Sequence, residues 1–350
     1  MPFPRIKNIT AALLETPLYQ PFITSQGQAD MGRCVAIRLV LDDGREAFGE
    51  ASPVTYVTQE TIGSVTKAVE RAAPQLIGME VLRYREVVRV IQAVAPAEPS
   101  ARCGLEMALL NAWSLVSGLS LAQLWGSATD SVETDITIPI TSDVGDLALL
   151  AWQAGIQTFK IKVGGGANLD ADYARVAEVC SAAPSARIRV DANQAYTVSQ
   201  ALEFVNRLVA NGVNLELLEQ PVPQEDFKGL AEVAANSPVP VFADESAQTP
   251  AHALRLAQTA VQGFNCKVNK SGIFGVLDII AIAKGAGRKL MLGCMLETRQ
   301  SIALSLALAC GTGAFDYIDL DSHLLLNEEG QNPFFHQLGG RMSVEFLTEG

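Results

Sequence analysis

Between about residues 133 and 320 the chain repeats one pattern eight times: a short apolar run, then a stretch with helical spacing. The runs fall near 134–140, 157–163, 187–192, 214–219, 239–244, 262–267, 288–293 and 315–320. Strands separated by helices pair in parallel, since a crossover connection, not a hairpin, joins them. Eight such units predict an α/β fold built on a (β/α) TIM-type barrel. A doubly wound open sheet is the competing arrangement, but it gathers ligands at one switch point rather than from successive strands.

Six charged side chains close these runs: Lys160, Lys162, Asp191, Glu219, Asp244 and Lys267. Charge in apolar surroundings is heavily penalised unless it is paired or bound to a metal. Barrels of this class carry their chemistry at the C-terminal strand ends, where all six fall. Three carboxylates converging there repel one another. A hard divalent cation with oxygen ligands and open positions, as Mg²⁺ prefers, relieves that repulsion. Taken singly, each acid reads as a helix N-cap or loop carboxylate, and Lys267 as a salt-bridge partner to one of them. Lys160 and Lys162 read singly as surface lysines, but barrel strands are covered on both faces.

Side chains alternate along a strand, so Lys160 and Lys162 share a face, as do Asp191 and Asn193. Two neighbouring ammonium groups repel, and a nearby metal cation adds to this, which predicts that Lys162 releases its proton more readily than a free lysine, toward the range of ~7–8 suited to a general base. Lys267 comes from a strand roughly across the barrel, which sets a second acid/base facing the first.

A formal net charge of −12, with 49% hydrophobic and 18% charged residues among 350, points to a globular chain with small-molecule partners and argues against nucleic acid or an acidic membrane surface. No apolar stretch reaches bilayer-spanning length. Cysteines at 34, 103, 180, 266, 294 and 310 show no paired spacing, so neither a disulfide framework nor a zinc site is expected, and a reducing cytoplasm is the default location.

Residues 1–125 read as an α+β capping domain, with strands over 35–41 and 47–50 around a turn at 42–44 and helices over 61–77, 84–94 and 101–118. Residues 126–326 form the barrel. The tail, 327–350, has no barrel period and is expected to pack back on the cap. Segments 18–30 and 49–57 have the glycine and polar content of a lid.

Five motifs carry a family resemblance: Lys-Ile-Lys at 160–162, Asp-Ala-Asn-Gln at 191–194, Glu-Gln-Pro at 219–221, Asp-Glu-Ser at 244–246 and Asn-Cys-Lys-Val-Asn-Lys-Ser-Gly at 265–272. Together they resemble the enolase superfamily, and within it the muconate-lactonising subgroup, over nearly the whole chain. The resemblance implies Asp191, Glu219 and Asp244 as Mg²⁺ ligands and Lys162 and Lys267 as an acid/base pair. By the same resemblance Lys160 would support an enediolate oxygen, in the lysine-plus-Mg²⁺ mechanism general to that superfamily.

Asp319-Leu-Asp321 is similar to the element with which the dipeptide epimerases of that subgroup hold a substrate's free α-ammonium. By the same resemblance Leu296, Thr298 and, more weakly, Thr137 are substrate contacts. The implied activity is 1,1-proton transfer at the α-carbon of a dipeptide's C-terminal residue. N-acylamino acid racemase and o-succinylbenzoate synthase are the alternatives that use the same lysines. Epimerases acting on alanyl-glutamate carry an arginine in the capping loop, where this chain has none over 21–27, which points to neutral or hydrophobic dipeptides. Barrels of this kind assemble, so a homo-oligomer is expected.

Overall fold

The computed structural model of the chain describes residues 3–165, 168–328 and 334–344. Its N-terminal part pairs three antiparallel strands in sequence order, β1 (Ile6–Thr24), β2 (Gly27–Leu41) and β3 (Glu46–Ala51). Period-two alternation puts Val35, Ile37, Leu39 and Leu41 of β2 on one buried face. Helices α1 (Thr55–Thr58), α2 (Ile62–Leu76), α3 (Tyr84–Val94), α4 (Pro99–Ser117) and α5 (Leu121–Trp125) follow. A reciprocal capping box between Thr61 and Ser64 starts α2. The backbone of α4 packs directly on β3: a Cβ added to Gly49 would lie 2.0 Å from the Gly104 carbonyl oxygen, so only glycine fits.

Residues 18–30, which read as a lid loop in sequence, instead form the end of the β1–β2 hairpin, paired as far as Thr24 and Gly27. Strand register rather than composition decides the outcome here. The turn is fixed to the barrel, because Ser25 Oγ and Gln26 Nε2 donate to the Asn193 carbonyl at 3.1 and 2.6 Å.

After the short β4 (Ser131–Glu133) come eight strands: β5 (Ile136–Ile138), β6 (Thr158–Lys162), β7 (Arg187–Asp191), β8 (Leu215–Glu219), β9 (Val241–Ala243), β10 (Gly263–Cys266), β11 (Lys289–Gly293) and β12 (Tyr317–Asp319). They form one parallel sheet in unbroken sequence order. That order excludes a doubly wound sheet, which reverses at its switch point. The last strand approaches the first through Asp135 N–H to the Ile318 carbonyl at 3.3 Å and Leu320 N–H to Thr134 Oγ1 at 2.8 Å.

Helices α6 (Val144–Gln153), α7 (Leu169–Ala182), α8 (Val198–Ala210), α9 (Phe227–Asn236) and α10 (Pro250–Leu256) each follow a strand. The extra turn α11 (Val268–Ser271) precedes α12 (Ile273–Ala286), and α13 (Arg299–Thr312) precedes β12. A 3-10 turn, Ser322–Leu324, stands where an eighth helix would follow, which is the modification of the barrel.

The tail divides. Strands β13 (His336–Leu338) and β14 (Arg341–Ser343) pair antiparallel, and β14 continues onto β4 at the base of the barrel, opposite the mouth. Phe334 and Val344 instead line a groove with Phe48 and Asn111 of the cap. Residues 329–333 and 345–350 lie outside the described part.

Buried acids stitch the layers together. Glu106 of α4 accepts the N–H groups of Ile273 and Phe274 at 2.7 and 3.3 Å, which caps α12. Glu297, before α13, accepts the Met295 N–H at 2.9 Å and the Ser301 hydroxyl at 2.5 Å. Burial pushes both acids up to about 7. A carboxyl raised in the folded state holds a proton that the unfolded chain has already released. Its stabilising contribution is therefore full below the ordinary carboxylate range and is lost as pH climbs through about 7. The melting temperature should accordingly be several degrees higher near about pH 5.5 than near about pH 8. Scanning calorimetry checks this, and Glu106→Gln should shrink the difference.

Candidate active site

The C-terminal ends of the barrel strands open into a cavity of about 420 Å³, roofed by the β1–β2 hairpin and by residues 52–57. Alternation on β6 brings Lys160 and Lys162 to the interior together, 3% and 6% exposed. Asp191 ends β7, Glu219 ends β8, Asp244 follows β9 and Lys267 follows β10. The three acids are buried, and one oxygen from each lies within 4.8 Å of the others. The structure therefore brings together all six charged groups singled out in the sequence.

Each acid is anchored differently. Asp191 Oδ2 takes Lys162 Nζ at 2.5 Å and its Oδ1 takes the Asn193 N–H at 2.9 Å. Asp244 receives Lys267 at 2.6 Å and Lys270 at 2.5 Å. Glu219 Oε1 accepts Asn265 Nδ2 at 2.7 Å, while its buried Oε2 has no hydrogen-bond partner. Burial, then the neighbouring Asp191, pushes Glu219 up to about 8. Burial would raise Asp244 as well, but Lys267 and Lys270 outweigh it and hold that carboxyl far below the usual range. A convergent, all-oxygen, buried donor set with an unpartnered oxygen fits a hard divalent cation such as Mg²⁺.

The chain's own groups act on Lys162 in both directions. Burial pushes it down and Lys160 adds to that, but Asp191 pulls it up and the net direction is up. Lys267 is likewise raised, Asp244 overcoming burial. The sequence shows the lysine neighbours along β6, whereas the carboxylate contacts come from other strands.

Backbone strain marks the same place. Asn193, Gln194 and Gln220, just past the Asp191 and Glu219 strand ends, have φ of 41°, 73° and 33°, a region L-residues seldom adopt. Gln220 holds the turn after β9 by accepting the Asp244 and Ser246 N–H groups at 2.9 and 3.0 Å.

Thr137, Lys160, Leu296, Asp319 and Asp321 also line the cavity. Asp319 Oδ2 is paired with Lys160, while its buried Oδ1 has no partner. Asp321 Oδ2 accepts the Thr137 N–H at 2.5 Å. Thr298 departs from expectation: it is buried and gives both its N–H and its hydroxyl to Glu50 of β3, away from the cavity wall.

Sequence reasoning missed Lys270, Glu245 and Arg33. Lys270 lies within the 265–272 motif, but only the turn of α11 brings it to Asp244. Glu245 lines the cavity, and burial, then Asp244, pushes it up to about 7. Arg33 reaches the cavity from β2, half-exposed and paired with Glu15 at 2.9 Å. No arginine of 21–27 was needed to bring one there, although water and Glu15 screen its charge.

Residues 143–345 match the family profile "Enolase C-terminal domain-like", and residues 8–126 match "Mandelate racemase / muconate lactonizing enzyme, N-terminal domain". The chain is 37% identical to L-Ala-D/L-Glu epimerase of Thermotoga maritima, over 97% of this chain and 99% of that one. It is 36% identical to aromatic dipeptide epimerase of Herpetosiphon aurantiacus, over 97% and 96%. The dipeptide epimerase of Enterococcus faecalis V583, solved with Mg and L-Leu-L-Tyr, superposes with a TM-score of 0.91 at 27% identity, covering 98% of both chains.

The end of β11 is tightly filled. A Cβ on Gly293 would lie 2.6 Å from Asn265 Oδ1 and 3.0 Å from Lys267 Cε. Gly293→Ala should therefore lower unfolding free energy in urea by about 1–3 kcal/mol, the usual cost of overpacking.

Proposed function

The chain belongs to the mandelate racemase/muconate lactonizing enzyme family of the enolase superfamily, and from that premise we propose that it is a Mg²⁺-dependent epimerase of neutral or hydrophobic dipeptides. The observation that carries this reading is one cavity walled by two lysines from opposite sides of the barrel, with the three-carboxylate cluster between them. Lys162 comes from the second and Lys267 from the sixth of eight strands, half a circuit apart.

Asp191, Glu219 and Asp244 would hold the cation, which when bound would supply Lewis-acid charge that acidifies the α-carbon next to the substrate carboxylate. One lysine takes the α-proton from its face while the other, protonated, returns a proton from the opposite face, which inverts the centre. Lys160 offers its ammonium to the negative charge that grows on the substrate carboxylate as the proton leaves, a contribution selective for the transition state. The free Oδ1 of Asp319 and the Asp321 carboxylate receive the α-ammonium; an N-acyl or second carboxylate group would meet repulsion there. Phe22, Met31, Val54 and Leu296 give the walls for apolar side chains. Closure by the hairpin and residues 52–57 excludes water.

The same reading extends to location and assembly. Six free thiols suit a reducing cytoplasm, and no helix among the described residues is long and apolar enough to cross a membrane. A homo-oligomer is the expected assembly, and light scattering that finds a monomer would reject it.

In deuterated water, a dipeptide library should show a one-mass-unit gain at the α-carbon, with alanyl-leucine preferred over alanyl-glutamate; a strong preference for the acidic substrate rejects the neutral-substrate reading. Lys162→Ala and Lys267→Ala should each abolish epimerisation, and chelation of divalent ions should do so reversibly. Asp321→Asn should raise KM by roughly tenfold or more. Unchanged turnover would favour an N-acylamino acid racemase or o-succinylbenzoate synthase.

A further inference from the structure

Thr298 occupies the N-cap position of α13 with extended backbone, yet its hydroxyl does not cap the helix. At the equivalent position of α2, α5, α8 and α10, the hydroxyls of Thr61, Ser120, Thr197 and Thr249 each accept from the first turn. The hydroxyl and N–H of Thr298 both go instead to the carboxylate of Glu50, which reaches across from the capping domain. Glu50 is 2% exposed and has no cation within ion-pair distance among the described residues, and burial raises its proton affinity. A buried, uncompensated carboxylate is costly, so a chain that keeps one gains something besides stability from it.

The connections around Glu50 show what that is. Ser52 Oγ donates to Glu50 Oε1 at 2.9 Å, and the Ser52 N–H donates to Asn269 Oδ1 at 2.8 Å. Asn269 lies two residues beyond Lys267, and its carbonyl accepts the Ser100 hydroxyl of α4 at 3.0 Å. Ser52 begins the segment 52–57 that lines the cavity, and Thr298 ends the turn that carries Leu296. One cap carboxylate thus ties together the roof of the cavity, the wall bearing Leu296 and the turn after Lys267.

We propose that Glu50 is a positioning residue that holds the Leu296 wall and the 52–57 roof in register, and so sets which dipeptide side chains the cavity accepts. This rests on the dipeptide reading above. Glu50 touches no reacting atom; it acts by fixing Thr298 and Ser52. Proton transfer between the lysines and the substrate α-carbon does not pass through it.

The test compares kcat and KM for two dipeptides that differ only in side-chain size, alanyl-leucine and alanyl-alanine, in wild type, Glu50→Ala, Glu50→Gln, Thr298→Val and Thr298→Ser. The expected result is that Glu50→Ala and Thr298→Val lower the preference for the larger substrate about tenfold, mainly through KM. Glu50→Gln, which keeps an acceptor, and Thr298→Ser, which keeps the hydroxyl, should retain most of the preference. Equal loss on both dipeptides, or an unchanged preference in Thr298→Val, overturns the proposal. If Glu50→Ala does not fold, the Thr298 pair decides alone. Amide hydrogen exchange over 293–298 gives a readout independent of substrate: it should quicken in Thr298→Val, and unchanged exchange refutes the positioning role. A wild-type protein that turns over no dipeptide would sink the substrate reading while leaving the exchange result to judge Glu50.

Discussion

Three buried carboxylates with oxygens within 4.8 Å of one another demand positive charge nearby, and the arrangement of the barrel mouth follows from that demand. Lys162, Lys267 and Lys270 answer it from within the chain, each bonded to Asp191 or Asp244. Glu219 is left without an ammonium and with one unpartnered oxygen. The compensation is therefore incomplete by design of the ligand set, and a cation is the natural complement. Two of the lysines that serve as counter-ions, Lys162 and Lys267, are those proposed to move protons, so on that reading the electrostatics that keep the site folded and those that make it reactive involve the same atoms.

A second cluster lies beside the first. Asp319 and Asp321 reach the cavity, and behind them Asp135 is bonded to Arg189 at 2.8 Å. Lys160 belongs to this cluster through Asp319 and, by alternation along β6, stands next to Lys162. Both clusters are acidic, and a cation on Asp191, Glu219 and Asp244 would make that one attractive to a carboxylate while the other stays attractive to an ammonium. A substrate carrying both an ammonium and a carboxylate suits that polarity better than a dianion.

The cap roofs and shapes the cavity, and Arg33, the arginine it brings there, is half-exposed and paired with Glu15. Its hairpin turn bonds the Asn193 carbonyl, two residues past Asp191, and its β3 end bonds Thr298 and, through Ser52, Asn269. These contacts span far more of the chain than any local element does, which is why lid composition alone misreads 18–30 as a loop, and why the resemblance that makes Thr298 a substrate contact does not show its bonds to Glu50. Lys270 and Glu245 escape notice for a related reason. A lysine in a helical turn and an acid beside another acid carry no periodic signal, and only burial against Asp244 gives them weight.

Residue order by itself determined the alternation of eight apolar runs, the sequential barrel and the clustering of Lys160, Lys162, Asp191, Glu219, Asp244 and Lys267, because strand period and the rule that chemistry sits at strand ends are local and topological constraints. It did not determine the protonation bias of Lys162, the hairpin over 18–30, the partner of Thr298 or the approach of Arg33 to the cavity. Those depend on distances between groups far apart in the chain. A Coulomb interaction or a hydrogen bond falls off over a few ångströms, so only the folded geometry decides which neighbour prevails.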